Sequence, residues 1–434
     1  MRERFSELSG TLEKELRAGE VLLCNLSAER SDFVRFNRGL VRQAGTVEQA
    51  YLTLRLASER RQAQATLPLG DVDSARAALA RLRDSLAGLP ADPLFLINEE
   101  PRSTSTERRG KLAPAEGVVE EALEQAKGRD MVGFYAGGTL YRGFANSLGQ
   151  RNWHEVDSFN FDWSLYLQGD QAVKTSYAGF DWDAGAFAQK MARAAEEVGQ
   201  LAAPRRTLEP GEYRAYLAPA AMNEVMGLLC WGGFSPRARQ TRQSPLLLMQ
   251  EGRTLSPLTT VSENVAQGIA PAFQAQGFLK PPRIDLIRQG RLGDPLVSPR
   301  SAKEYGLATN GAGGGEAPDS LDMAPGALEE GTVLGELDRG LYISNLWYLN
   351  FSDRPAGRIT GMTRFATFWV EAGRIAAPVT PMRFDDSVYR MLGSELAGLT
   401  RTAHLLPDPS TYGERSTSSA RLPGALLKGL RFTL

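Results

Sequence analysis

Histidine and cysteine are nearly missing from these 434 residues: His154, His404, Cys24 and Cys230 are the whole supply. Zinc sites draw on clustered His and Cys, and catalytic ones use three protein ligands plus a water. Four such residues, scattered this widely, cannot make an ordinary His/Cys zinc site within one chain. A Ser-His-Asp or Cys-His arrangement would have to use one of the two histidines. Two cysteines are also too few for a disulfide framework. An excess of one charge is lacking as well. The 50 basic and 51 acidic residues leave a net charge of −1, with neither a positive field to condense on nucleic acid nor an acidic tail. Arg supplies most of the basic residues, which reads as codon usage rather than phosphate recognition. No run of about 18 apolar residues exists to span a membrane. The start, Met1-Arg-Glu-Arg-Phe5, carries charge where a secretory signal needs an apolar stretch. A cytoplasmic protein is expected.

What is present is globular in character: 42% hydrophobic and 23% charged residues, enough to bury a core in about two or three domains. Apolar spacing predicts helices over Phe5–Leu16, Asp71–Leu86, with Asp71 or Asp73 as cap, Ala115–Lys127 and the Ala-rich Ala184–Gln200. Short strands are expected at Glu20–Ser27, Asp32–Phe36 and Ala50–Leu56, with Asn37-Arg38-Gly39 as a turn. Met131–Tyr135 and Thr139–Ala145 read as strands joined by a Gly137-Gly138 turn. Asp157–Tyr166 alternates, setting Phe159, Phe161, Trp163 and Leu165 on one side. Asn98–Pro114 reads as a loop. The Pro204–Pro210 region reads as a boundary, dividing the chain into residues 1–203 and 204–434. Beyond it, Gly211–Leu217 is a strand, Pro219–Leu229 a helix and 298–326 the longest irregular stretch. Leu341–Leu349, Gly357–Thr363 and Phe365–Glu371 read as strands and Arg383–Leu396 as a closing helix. The fold class is α+β, an N-terminal α/β domain followed by a β-rich C-terminal domain.

Individual motifs mostly favour plain structural readings. Gly311-Ala-Gly-Gly-Gly315 lacks the Gly-Lys-Ser/Thr ending of a phosphate loop. His154-Glu155 has Ser158 where a zincin motif needs its second His, so His154 reads as a hydrogen-bonded structural residue beside Trp153. His404, before Leu-Leu-Pro, reads as structural too. Cys24 and Cys230 lie in apolar settings unlike those of a reactive thiolate, with only Trp231-Gly-Gly beside Cys230 as an opening for function. Asp385-Asp386 reads as a helix cap, and Asp157 and Asp162 as exposed strand residues. Strand edges and Gly-rich loops offer a geometry for binding an extended peptide.

Three stretches resemble a known family. They are Gly143-Phe-Ala-Asn-Ser-Leu-Gly-Gln-Arg-Asn-Trp-His154; Ser298-Pro-Arg-Ser-Ala-Lys-Glu-Tyr-Gly-Leu-Ala-Thr-Asn310 with Leu321-Asp-Met-Ala-Pro-Gly326; and the segment from Gly357 to Val379, ending Glu371-Ala-Gly-Arg-Ile-Ala-Ala-Pro-Val379. In order and spacing they are similar to the TldD/PmbA family of zinc metallopeptidases. The resemblance implies the two-domain fold and proteolysis of small unfolded proteins or peptides by paired TldD-type and PmbA (TldE)-type subunits. It also implies a His-Glu-x-x-x-His helix and a later Cys as zinc ligands in the TldD-type chain, the Glu serving as general base. Here the matching helix reads Asn223-Glu224-Val-Met-Gly-Leu228, and Arg364 stands where the Cys would be. Only Glu224 survives. An amide, an aliphatic chain and a guanidinium cannot replace two imidazoles and a thiolate on zinc. The expectation is a PmbA (TldE)-type subunit with no metal of its own, the zinc being carried by a TldD-type partner. A stand-alone homo-oligomeric peptide-binding protein is the alternative, and a metal-independent hydrolase using Glu224 or other carboxylates comes third.

Overall fold

The computed structural model describes residues 1–433. A seven-stranded sheet is built from β1 (Val21–Asn37), β2 (Leu40–Ser58), β3 (Arg61–Pro68), β4 (Thr104–Arg108), β5 (Asp130–Asn146), β6 (Arg151–Gln168) and β7 (Gln171–Gly179). Its order is β3-β2-β1-β5-β6-β4, with β7 also on β6. All pairs are antiparallel except β4 on β6. Four helices pack on it: α1 (Arg2–Glu13), α2 (Val72–Leu86), α3 (Ala115–Gln125) and α4 (Ala184–Leu201). Leu22, Cys24 and Leu26 alternate inward against Leu8, Leu12, Leu79 and Leu82 of α1 and α2. Phe159, Phe161, Trp163 and Leu165 alternate the same way and meet Phe187 and Met191 of α4. Period two on the strand against a helical stripe accounts for both contacts. Asp71 caps α2 by accepting the Ser74 N–H, and Asp183 caps α4 through Ala186 N–H.

The second sheet has eleven strands: β8 (Gly211–Leu217), β9 (Val261–Glu263), β10 (Ile284–Arg288), β11 (Arg291–Leu292), β12 (Ser320–Met323), β13 (Gly340–Asp353), β14 (Arg358–Glu371), β15 (Arg374–Pro378), β16 (Arg383–Ser387), β17 (Leu396–Pro407) and β18 (Ser419–Phe432). β8 pairs with β13 on one side and with β18 on the other, so β18-β16-β14-β13-β8 closes into a ring. Helix α5 (Pro219–Cys230) packs Ala221, Met222, Val225, Met226 and Leu229 into the core of this sheet. Tyr216, Tyr342, Phe368 and Leu426 of the second sheet share one apolar cluster with Phe161 and Phe187 of the first layer. The two sheets therefore do not have separate cores at this seam.

Several expectations give way to longer pairing. Gly137-Gly138 is not a turn but the middle of β5. A Cβ on Gly138, at φ +147°, would sit 2.1 Å from the Arg30 carbonyl, and one on Gly137 equally close to the Tyr135 hydroxyl. These glycines permit close approach across the strand rather than a reversal. The two early strands are one, β1, and the two expected within 357–371 are one, β14. The expected loop 98–114 contains β4, and the irregular stretch 298–326 contains a short helix, Pro299–Tyr305, and β12. Arg383–Leu396 is not a helix. It is β16 followed by a π-helical turn over Arg390–Ser394. Met382, Phe384 and Asp386 are buried while Arg383 is exposed, a two-residue period imposed by pairing with Arg358–Met362 of β14.

Candidate functional site

Helix α5 starts where β8 ends, its Ala218 N–H held by the Ile343 carbonyl of β13. Because its apolar stripe faces the sheet, Asn223 and Glu224 fall on the outer side, and Leu228 lies at the flank of the stripe, packed against the core. Glu224 is exposed and Asn223 and Leu228 are half-buried. Surrounding protein raises the Glu224 carboxyl above its usual range, an effect that Lys174 of β7 partly offsets. Arg364 lies on β14, paired across the ladder with Asn345. It does not pair with Glu224. Its guanidinium lies over the Trp347 ring, 4.6 Å from the centroid, and over Phe365 at 5.2 Å. Lys174 Nζ lies 6.0 Å from the Phe365 ring, so Lys174 is the link between the Glu224 and Arg364 sides.

Both strands bulge at this place. Two β14 residues, Phe365 and Ala366, stand opposite Ser344, and two β13 residues, Tyr348 and Leu349, stand opposite Gly361. Phe365 and Tyr348 take the left-handed backbone, at φ +55° and +57°, where a bulge of this kind normally carries glycine. Bulky residues there cost of order 1 kcal/mol each. Their side chains are displayed in return: Tyr348 is 77% and Trp347 49% exposed, with rings 5.5 Å apart.

The residues do not fit a zinc ion. Asn223 offers a neutral amide, Leu228 no donor and Arg364 a permanent cation that repels metal. Among the described residues no three His, Cys, Asp or Glu side chains converge so as to hold a metal ion.

The remaining sequence candidates fall elsewhere. Cys24 is buried, its thiol pushed well above the ordinary range by desolvation, and burial pushes Cys230 up to about 12. Neither is a nucleophile. Asp385 and Asp386 do not cap a helix. Asp385 pairs with Arg358, while buried Asp386 accepts from Arg390 Nε at 3.0 Å and from the Arg431 N–H at 3.2 Å. Asp157 is half-buried and accepts from Thr139 Oγ1 and the Gly110 N–H. Asp162 is half-buried, with its carboxyl raised by desolvation. Of the glycine run, Gly311 at φ +75° approaches the Leu279 backbone, and Gly313 to Gly315 face open space.

His154 is buried in β6, its Nε2 3.1 Å from the Ile269 carbonyl. Desolvation pushes it down to about 4. Nearby, Glu263 is buried, accepts the Ser320 N–H and lies 4.0 Å from Lys280, which pairs with Asp319. Desolvation pushes Glu263 up to about 7. These two groups act oppositely on stability. Between pH 4.5 and about 7 the folded chain keeps the Glu263 proton that the unfolded chain has released, so stability present at low pH is lost as pH rises. Between pH 6.5 and about 4 the unfolded chain gains a His154 proton that the folded chain refuses, so stability is lost as pH falls. Glu263→Gln removes only the first effect. The variant is expected to gain more stability than the parent between about pH 5 and pH 7, read from urea midpoints at the two pH values. An equal gain in both proteins would place the Glu263 ionisation near its ordinary range.

One feature escaped the sequence reading. A cavity of about 360 Å³ opens between β7, α4, β13, β17 and the first residues of α5. On its walls Arg193 pairs with Glu197 at 3.4 Å and donates to the Tyr342 hydroxyl at 3.3 Å. His404 Nε2 meets Glu330 Oε1 at 2.6 Å, so His404 is a cavity residue. Lys190, Arg193 and Glu197 recur at helical spacing on α4 in the sequence, a charged stripe that could have marked it.

Residues 210–434 match the profile described as the PmbA/TldA metallopeptidase C-terminal domain. Three solved structures share the fold over almost the whole chain. TldE from Thermococcus kodakarensis has a TM-score of 0.81 at 15% identity, covering 99% of this chain and 100% of that one. A protein from Bacteroides thetaiotaomicron described as a candidate modulator of DNA gyrase has 0.79 at 15%, covering 99% and 98%. One so described from Thermotoga maritima has 0.77 at 16%, covering 99% of each. No curated protein matches the chain. Among the described residues no helix is long and apolar enough to cross a membrane.

Proposed function

Because the chain belongs to the PmbA/TldD metallopeptidase family, we propose that it is the metal-free partner subunit of a TldD-type zinc peptidase acting on small unfolded proteins or peptides in the cytoplasm. The observation that carries this reading is the donor set at the family's metal positions. Asn223 and Leu228 on α5 and Arg364 on β14 supply no imidazole, thiolate or carboxylate, and Arg364 is committed to the aromatic rings beside it. The family's chemistry then has to come from another chain. The exposed Trp347 and Tyr348 support a surface made for contact, since aromatic and Arg side chains dominate binding energy at interfaces. The same set also suits the alternative, a homo-oligomeric peptide binder without catalysis, and the partner separates the two.

The test is purification without chelator, alone and together with a TldD-type chain bearing His-Glu-x-x-x-His. The chain alone is expected to hold far less than one zinc and to cleave no peptide. The pair is expected to hold about one zinc per heterodimer and to cleave unfolded peptides. One zinc per chain in the isolated protein would overturn the metal-free reading. Failure of the two chains to associate would favour the homo-oligomer.

A further inference from the structure

We propose that the cavity between α4, β7 and the start of α5 binds a carboxylate group, the C-terminal carboxylate of a peptide or that of a small free acid. This goes beyond the role proposed above, because it requires neither a partner subunit nor cleavage.

The argument starts from the charges on the cavity wall. Both anions there are already engaged: Glu197 with Arg193 and Glu330 with His404. Two cations are not. Lys190 on α4 and Lys174 on β7 make no ion pair or hydrogen bond among the described residues, Glu330 acting on Lys190 and Lys174 on Glu224 and Asp162 only at longer range, and desolvation holds the Lys190 ammonium below its usual pKa. An unpaired ammonium in a partly desolvated cleft is a cost that a bound anion offsets.

The neutral donors have the same sense. Tyr216 is 3% exposed, lines the cavity and has no hydrogen-bond partner for its hydroxyl among the described residues. Tyrosine hydroxyls buried to this degree ordinarily find one. Gly424 leaves the space that this hydroxyl uses, for a Cβ there would lie 2.1 Å from it. Ala218, Pro219 and Ala220 bring the N-terminus of the 12-residue helix α5 to the same wall. No side chain caps it and its first turn carries no acidic residue; with the Ala218 N–H taken by the Ile343 carbonyl and none on Pro219, the Ala220 and Ala221 N–H groups and the positive end of the dipole are left for an external anion. The volume is that of a ligand pocket rather than of an ion site. A carboxylate with a short organic body suits it better than a halide.

Three probes test this on the whole 434-residue chain by isothermal titration: N-acetyl-trialanine as the free acid, the same peptide as its C-terminal amide, and acetate. The free acid is expected to bind at least about tenfold more tightly than the amide, the worth of one charge-assisted contact. Acetate as tight as the tripeptide acid would assign the site to a small free acid. Acetate that is weaker would assign it to a peptide end. Lys190→Met is expected to weaken the acid about tenfold, and Tyr216→Phe, which deletes only the hydroxyl, about fivefold. Both variants are first checked for parental thermal unfolding, and a variant that melts early is replaced by Lys190→Gln. Equal binding of acid and amide, no binding of either acid at millimolar concentration, or unchanged affinity in a well-folded Lys190 variant would each overturn the proposal. None of these results bears on zinc content or pairing, so the site and the partner role can fail separately.

Discussion

Glu224→Gln, introduced into a pair reconstituted with a zinc-bearing subunit, is expected to leave peptide cleavage within about tenfold of the parent, ~1.4 kcal/mol in the barrier. Removing the Glu of the partner's intact motif is expected to lower cleavage by about a thousandfold or more, ~4 kcal/mol. A general base earns its rate by activating a water, and without a metal that water keeps a pKa near ~15.7 instead of ~7. Glu224 stands on the outer side of α5 with an amide before it and Leu228 four residues on, and the nearby cation is Lys174 rather than a metal. Its raised pKa follows from desolvation alone and confers no chemistry by itself. The readout is the initial rate of each pair at matched assembly. A thousandfold loss from Glu224→Gln with the complex intact would make this chain a catalytic participant, and the partner role proposed for it would have to be abandoned.

Arg415→Met is expected to be the most damaging single change away from the site, costing about 3 kcal/mol of stability. Arg415 comes from the segment between β17 and β18, yet it is buried against the first sheet. Its guanidinium donates to the Ser158 carbonyl and hydroxyl, both at 2.9 Å, and to the Gly138 carbonyl and Ser31 hydroxyl at 3.3 Å. Ser31 in turn donates to buried Glu29. Methionine fills the space of the stem but leaves two carbonyls and a carboxylate relay without their donor. Arg415→Lys is expected to rescue only partly, since one ammonium cannot reproduce a planar fork. Lower urea midpoints and faster proteolytic nicking within residues 408–418 are the two signatures. A Met variant as stable as the parent would show that water takes over these bonds.

What could be read in the sequence was local. Phe159, Phe161, Trp163 and Leu165 announce a one-sided strand because a period of two is complete within seven residues, and Ala184–Gln200 announces a helix because an Ala-rich run with Phe187, Met191 and Ala194 at helical spacing is equally local. That Asn223, Leu228 and Arg364 offer zinc no imidazole, thiolate or carboxylate is legible because it depends on residue identity alone. Gly137-Gly138 misleads because the reason for those glycines, the Arg30 backbone and the Tyr135 ring crossing them, lies on other parts of the sheet or folds back from it. Arg383–Leu396 misleads because its helical spacing is overruled by a ladder with Arg358–Met362. The charged stripe on α4 marks one wall of the cavity, but the cavity itself is not legible, for a stronger reason. Lys174, Lys190, Tyr216, Tyr342 and His404 lie on five elements that only the joined sheets bring together.

The ring in the second sheet has a bearing on how the chain is made. Gly211 of β8 pairs with Phe432 of β18, and β18 also bonds β12, β16 and β17. The first sheet needs nothing from β18 for its strand pairing, so its ladders can form while the rest is still being translated. The second has no such option. β8 and α5 leave the ribosome early and must wait through about 120 further residues for β13 and about 200 for β18, which closes the ring. Long-range pairing of this kind is slow and exposes sticky intermediates. During that interval the nascent chain is at its most dependent on chaperones, and a ribosome stalled anywhere within β13 to β17 would release a product with a folded front and an unclosable back.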